Sequence, residues 1–311
     1  MNADALKTLK ADMGIDPAAV STCLEDFIRS HMEKLERKGA ILGLSGGVDS
    51  AVVAALCARA VGADRTVALI MPERDSKRQH VDDALKLADQ LRIEARLIDI
   101  TCYLKKLGVY GLLVLNKIPL TMRLKGLLVR KAYRLYAGRA GRSPFAATML
   151  GFSGKRFAGY IQKGAAYYRV KHRLRMVLLY LHAEIENKLV VGAANKTEYS
   201  IGYFVKHGCD DAADVMPLLK LYKTQVLELA RHLGIPSSIV DKPPSPDIIP
   251  GMTDEEAIGM PYEQLDLILL ALEKGWAASD ITAALGVEER RIGYVCDLIN
   301  RSAHMKRTYA P

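Results

Sequence analysis

The sequence predicts an α/β protein built on a parallel sheet, with helices on both faces and a mostly helical C-terminal part. Three observations carry this reading. Short apolar runs alternate with amphipathic stretches, the order that puts crossover helices between parallel strands. A Ser-Gly-Gly turn, Ser45-Gly46-Gly47, closes the first apolar run just where a helix begins. The chain has 311 residues, half of them hydrophobic, enough to enclose a full core.

Val20, Leu24, Phe27, Ile28, Met32 and Leu35 recur at helical spacing and predict a helix over residues 17–38. Ala40-Ile41-Leu42-Gly43-Leu44 reads as a buried strand. An Ala- and Val-rich helix is expected over 49–61, then a strand over 66–71 stopped by Pro72. A helix over 76–91, a strand over 95–100, a helix over 169–186 and a strand over 189–193 continue the alternation. Beyond Pro217 the pattern turns helical. One helix over 221–233 is ended by Gly234 and Pro236. Lys242-Pro243-Pro244-Ser245-Pro246 excludes regular structure, and two or three short helices finish the chain. No internal repeat and no apolar run of membrane-spanning length is present.

The net charge of +9 belongs to one segment. Residues 100–183 hold 17 Lys and Arg and no Asp or Glu, leaving 27 basic residues against all 35 acidic ones elsewhere. Much of this lies in a stretch from Cys102 to Ala166 that mixes apolar, Gly and basic residues. Three readings of it compete: a solvated insertion, an extension of a subunit interface, or, least favoured, a contact for nucleic acid or an anionic membrane. Five scattered cysteines without a C-x-x-C exclude a zinc ribbon or an iron–sulfur site. With no secretory signal at the start, they point to a reduced, cytoplasmic protein. A single Trp argues against a stacking-rich carbohydrate surface.

The strongest local signal is Leu44-Ser45-Gly46-Gly47-Val48-Asp49-Ser50 between a strand and a helix. A phosphate tail needs many hydrogen-bond donors at close range. Glycines let the backbone approach, and a helix start offers free N–H groups and a positive dipole end. Ser45 and Ser50 add hydroxyls. Asp49 would repel bare phosphate, so its task is to hold Mg²⁺. The bland alternative is a Gly-Gly turn with a capped helix.

Downstream stand Arg173-Leu174-Arg175-Met176, Asn195-Lys196-Thr197-Glu198, Gly202-Tyr203-Phe204, Asp214-Val215-Met216-Pro217, Leu221-Tyr222-Lys223-Thr224-Gln225-Val226, Lys242-Pro243-Pro244-Ser245 and Pro250-Gly251-Met252-Thr253-Asp254-Glu255. With the loop and residues 40–101, these make the chain resemble the ammonia-dependent NAD synthetases, N-type ATP pyrophosphatases with a PP-loop. The resemblance implies a Rossmann-like fold of the adenine nucleotide alpha hydrolase kind, one domain over 1–311 with the basic insertion 102–166 inside it. It implies a ligase that amidates deamido-NAD to NAD through an adenylylated intermediate, with ATP and ammonia as substrates, and a homodimer.

Carried over by the same resemblance, Asp49 and Glu198 bind Mg²⁺, and Asp49, Glu198 and Lys223 are catalytic. Gly43, Leu44, Ser45, Gly46, Gly47, Val48, Asp49, Ser50, Met71, Lys223 and Ser245 contact ATP. Arg173, Lys206, Asp214 and His304 contact deamido-NAD. This chain departs from the family pattern at Ala193, where Thr is expected, at Arg169, where Asn is expected, and over Gly208–Ala213. All fall on the acid-substrate side. A PP-loop enzyme acting on another acid or on tRNA, and a nucleotide-binding protein without catalysis, are the rival readings.

Overall fold

The computed structural model describes residues 2–113, 122–140, 143–150, 155–209, 211–244 and 252–307. Helices α1 (Asn2–Met13) and α2 (Pro17–Lys34) precede strand β1 (Gly39–Gly43), followed by α3 (Val48–Val61), β2 (Thr66–Ile70), α4 (Arg78–Leu91) and β3 (Glu94–Leu97). Then come α5 (Thr101–Lys106), α6 (Met122–Ala140), α7 (Pro144–Leu150), the long α8 (Lys155–Glu186) and β4 (Lys188–Val190). The rest is helical: α9 (Lys196–Ile201), α10 (Lys223–His232), α11 (Ser237–Val240), α12 (Asp254–Ile258), α13 (Tyr262–Glu273), α14 (Ala278–Leu285) and α15 (Glu289–Ser302).

The four strands run parallel in the order β3-β2-β1-β4, with Ile41 of β1 opposite both Val67 of β2 and Val190 of β4. Side chains alternate across the sheet, as the two-residue strand period requires. Ala40, Leu42, Ala68, Ile70 and Leu189 face a core made with α2, α3, α4 and α10. Ile41, Val67, Leu69 and Val190 face a second core made with α5 and α8. Helices therefore cover both faces, as predicted. α3 is apolar nearly all round because it is enclosed, touching the sheet, α2, α4 and α10. A third cluster joins α1, α7, α13, α14 and α15 around Leu9, Leu265 and Ile292.

Several boundaries differ from expectation, each for a local reason. α8 begins at Lys155, fourteen residues before the expected start, because no proline interrupts it and its two early glycines, Gly159 and Gly164, sit in open space. Much of the basic segment is thus helical. β3 ends at Leu97, before the expected Ile100. The Asp99 carboxylate there accepts the Thr101 N–H at 2.8 Å and turns the chain into α5. β4 ends at Val190, and Val191 forms only an isolated parallel bridge with Val215. Among the described residues four α-helices follow residue 252 rather than two or three. α1 docks through the fully buried Leu9. Among the described residues no helix is long and apolar enough to cross a membrane.

Candidate active site

β1 delivers the chain to the carboxyl edge of the sheet, where ligands bind in open parallel sheets. The loop that follows turns through Gly46 at φ +78° and enters α3, with Gly47 as the N-cap. A Cβ on Gly46 would lie 2.2 Å from the His80 carbonyl oxygen of α4, so both backbone angle and space demand glycine there. Ser45 and Ser50 share a hydroxyl contact of 3.0 Å, and Ser50 also donates to the Gly47 carbonyl at 2.9 Å. Lys242 donates to the Gly46 carbonyl at 2.9 Å and pairs with Asp83 of α4 at 2.6 Å, clamping the turn from outside. Gly46→Ala is expected to destabilise the protein by about 2–4 kcal/mol through strain and overpacking together. Urea unfolding measures this, and a loss below about 0.5 kcal/mol would refute the tight approach to His80.

Beside the loop lies a buried cluster of charges. Lys223 opens α10 and is 1% exposed. Its backbone N–H donates to Thr197 Oγ1 at 2.8 Å, and the Gln225 side chain caps the preceding Tyr222 N–H at 2.9 Å. A cation at a helix start is unfavourable in itself. Two carboxylates offset this: Lys223 Nζ donates to Asp49 Oδ2 at 2.5 Å and to Glu198 Oε1 at 3.2 Å. Asn195 sets both acids at once. Its Nδ2 donates to Asp49 Oδ1 at 3.0 Å, and its Oδ1 accepts the Glu198 N–H at 3.0 Å as the cap of α9. The Tyr262 hydroxyl donates to Glu198 at 3.0 Å, and Tyr203 donates to Asp254 at 3.0 Å.

Burial pushes the Glu198 carboxyl up to about 7 and the Asp254 carboxyl up to about 6, against the pull of the Lys223 charge. Burial by itself would lower Lys223. Asp49 and Glu198 more than reverse that and hold its ammonium above the ordinary lysine range. A charged lysine is thus fixed among three acids.

One cavity of about 1020 Å³ takes in Gly43 to Ser50, Met71, Glu198 and Lys223, so the structure brings these predicted residues together. Ser245 lies outside the described residues. Arg173, Lys206 and His304 form a separate patch beside the cavity, with Arg173 and His304 exposed and Lys206 half-buried. There Arg173 Nε donates to the Lys206 carbonyl at 3.2 Å, and Lys206 Nζ donates to the His304 carbonyl at 3.2 Å. Asp214 stands apart, its carboxylate accepting the Tyr180 hydroxyl and the Val190 N–H, both at 2.9 Å. Sequence reasoning did not single out Asn195, Lys242 or Asp254, although each stood in a quoted motif. Tyr262 had no signal at all.

Among the described residues no group of three or more His, Cys, Asp and Glu side chains is arranged to hold a metal by itself. Asp49 and Glu198 nonetheless converge on one ammonium, so they are close enough to share a cation. Two carboxylates with room for water and phosphate oxygens suit Mg²⁺, which rarely takes an all-protein cage.

A glycine turn with converging hydroxyls at the carboxyl edge of a parallel sheet, backed by a lysine held between acids, defines a nucleotide-handling α/β protein. Comparison with known proteins narrows the class. The NAD synthase pattern matches residues 20–110 and 151–310, and the chain belongs to that family. The NH(3)-dependent NAD(+) synthetase of Thermotoga maritima is 45% identical over 257 residues, spanning 83% of this chain and 88% of that protein. The protein of the same name from Hyperthermus butylicus is 35% identical over 306 residues, spanning 98% and 93%. The structure of NMN synthetase from Francisella tularensis superposes with a TM-score of 0.69 at 28% identity, covering 96% of this chain and 99% of that one. The NH3-dependent NAD synthetase from Campylobacter jejuni shares the fold, with a TM-score of 0.66 at 23% identity over 96% and 99%.

Proposed function

We propose that this chain is a ligase that amidates deamido-NAD to NAD, consuming ATP and ammonia and releasing AMP and pyrophosphate. The observation that supports it best is the Lys223 ammonium held between Asp49 and Glu198 beside the phosphate turn, in a chain of this family. In the proposed reaction the nicotinate carboxylate oxygen attacks the α-phosphorus of ATP, and the bond to pyrophosphate breaks. Ammonia then attacks the acyl carbon of the mixed anhydride, AMP leaves with the carboxylate oxygen, and the amide nitrogen gives up its proton.

Each residue has a task in this scheme. Ser45, Ser50 and the N–H groups at the start of α3 donate to the phosphates of ATP, with Gly43, Leu44, Val48 and Met71 shaping the space around it. Lys223 donates to the departing pyrophosphate, an interaction that gains as charge develops there. Asp49 and Glu198 would hold Mg²⁺, which when bound offsets the charge of the triphosphate. Asn195 keeps both carboxylates in place. Arg173, Lys206 and His304 contact the acid substrate on the face beside the cavity, and Asp214, set apart on the Tyr180 hydroxyl and the Val190 N–H, is assigned to the same substrate by resemblance to the family. The exposed apolar stripe Val177, Leu181 and Ile185, spaced by one turn on α8, supports a homodimer built on that helix. Five free thiols fit a reducing cytoplasm.

The test is an assay with deamido-NAD, ATP, Mg²⁺ and ammonium. NAD and AMP are expected to appear in equal amounts. ATP turnover to AMP that ignores deamido-NAD would overturn the assignment.

A further inference from the structure

The segment between β2 and α4, residues 71–77, contributes Met71, Pro72 and Ser76 to the lining of the cavity. It is irregular chain, bent where the Ser76 N–H donates to the Glu73 carbonyl at 2.9 Å. Such a segment keeps one position only when other elements supply partners for it.

α8 supplies them. Tyr167, Lys171 and Arg175 stand four residues apart and so share one stripe of that helix. Arg175 Nε donates to the Met71 carbonyl at 3.0 Å. Lys171 Nζ donates to Glu73 Oε1 at 2.6 Å and to Asp75 Oδ2 at 3.3 Å, and the Tyr167 hydroxyl donates to Asp75. Every second residue of the segment thus meets every fourth residue of the helix. Four helical residues rise about 6 Å, within the reach of two residues of irregular chain. The Tyr110 hydroxyl donates to the other Glu73 oxygen at 2.8 Å, and Arg74 pairs with Asp75 at 3.1 Å.

Lys171 and Glu73 are buried, at 4% and 6% exposure. Lys171, Glu73, Asp75 and Tyr167 are not among the residues that line the cavity, so they act on a ligand only through the segment they hold. Two cations, Lys171 and Arg74, balance the two carboxylates. A buried pair of this kind is often no more stabilising than well-packed apolar side chains. Its use here needs another reason, and fixing one arrangement of the segment supplies it.

We propose that Lys171 is a positioning residue for ATP: by pinning Glu73 and Asp75 it sets residues 71–76 in place before the nucleotide arrives. A segment already ordered loses less freedom on binding, so the pair contributes to affinity without touching the ligand. This deepens the ligase reading and rests on it for the choice of ATP.

The experiment compares the unaltered protein with Lys171→Met and with a Lys171→Met/Glu73→Gln double variant. Calorimetry without deamido-NAD gives the affinity for ATP, urea unfolding gives stability, and steady-state kinetics give kcat and both KM values. Lys171→Met leaves the Glu73 carboxylate buried without its cation and is expected to lose stability. The double variant removes that charge and should regain most of the loss. Affinity for ATP should fall roughly fivefold in both variants, because the tether is absent from both. KM for ATP should rise by the same factor while kcat and KM for deamido-NAD stay within about twofold, the pattern of lost binding rather than lost chemistry. If the single variant does not fold, the double variant decides. A double variant that binds ATP as tightly as the unaltered protein would show the pair to be only structural and overturn the proposal. A fall in kcat with KM for ATP unchanged would do the same. Unaltered protein that binds ATP yet makes no NAD would sink the ligase reading and leave the calorimetric comparison standing.

Discussion

Replacing Lys223 with Met is expected to cost about 3–5 kcal/mol of stability, the largest loss for any single change in this site. The side chain is almost fully buried, and its ammonium is what allows Asp49, Glu198 and Asp254 to share one region. Methionine fills similar space but leaves three carboxylates facing one another. The loss should depend on pH in a definite direction. Burial already raises the folded-state affinity of Glu198 and Asp254 for protons above the unfolded value, and removing the cation raises it further. The folded variant therefore binds more protons than the unfolded chain, so its stability falls as pH rises above the ordinary carboxylate range. Urea unfolding of both proteins at mildly acidic and mildly basic pH checks this. A penalty that is flat or shrinks toward high pH contradicts the cluster.

Asp49→Ala is expected to lower AMP and NAD formation together, by roughly a thousandfold, since one adenylylation step feeds both. Its effect on stability should be much the smaller of the two substitutions. Lys223 keeps Glu198 at 3.2 Å, and Asp49 is itself partly exposed. The contrast separates the two roles: Lys223 supports both the fold and the proposed reaction, whereas Asp49 is needed mainly for the reaction. NAD production that persists while AMP release collapses would mean that the two products do not share an intermediate.

The turn, the start of α3 and the residues of β1 were legible because each is determined locally. Gly46 needs a left-handed backbone, α3 is apolar all round, and Asp49 follows directly. What was not legible depends on distant packing. Lys223 meets Asp49 across 174 positions, and nothing local to Tyr262 foretells that its hydroxyl reaches Glu198. Asn195 was readable as part of a motif but not as the residue that sets two carboxylates. The basic segment stayed open for a different reason. Its mixture of apolar, Gly and basic residues shows no clean period, yet α6 and the early turns of α8 gain their order by docking, as Tyr133 does on Ala257. The grouping of Arg173, Lys206 and His304 is equally tertiary, since their mutual contacts join α8 to the chain's last described residues.

The 32-residue α8 has a consequence for how this chain tolerates change. Its later turns are wedged on the sheet through Met176, Leu179 and Ala183, while its earlier turns line the cavity with Tyr160, Ile161 and Lys163. A rod about 48 Å long joins the two. Along such a rod, angular phase is set by residue count: inserting or deleting one residue between Ala165 and Arg173 would rotate everything upstream by about 100°. Lys163 and Tyr160 would swing away, and the cavity would be lined by a different set of side chains with no alteration to the sheet. In this protein the length of one helix segment is as much a determinant of what the cavity accepts as the identity of any residue lining it.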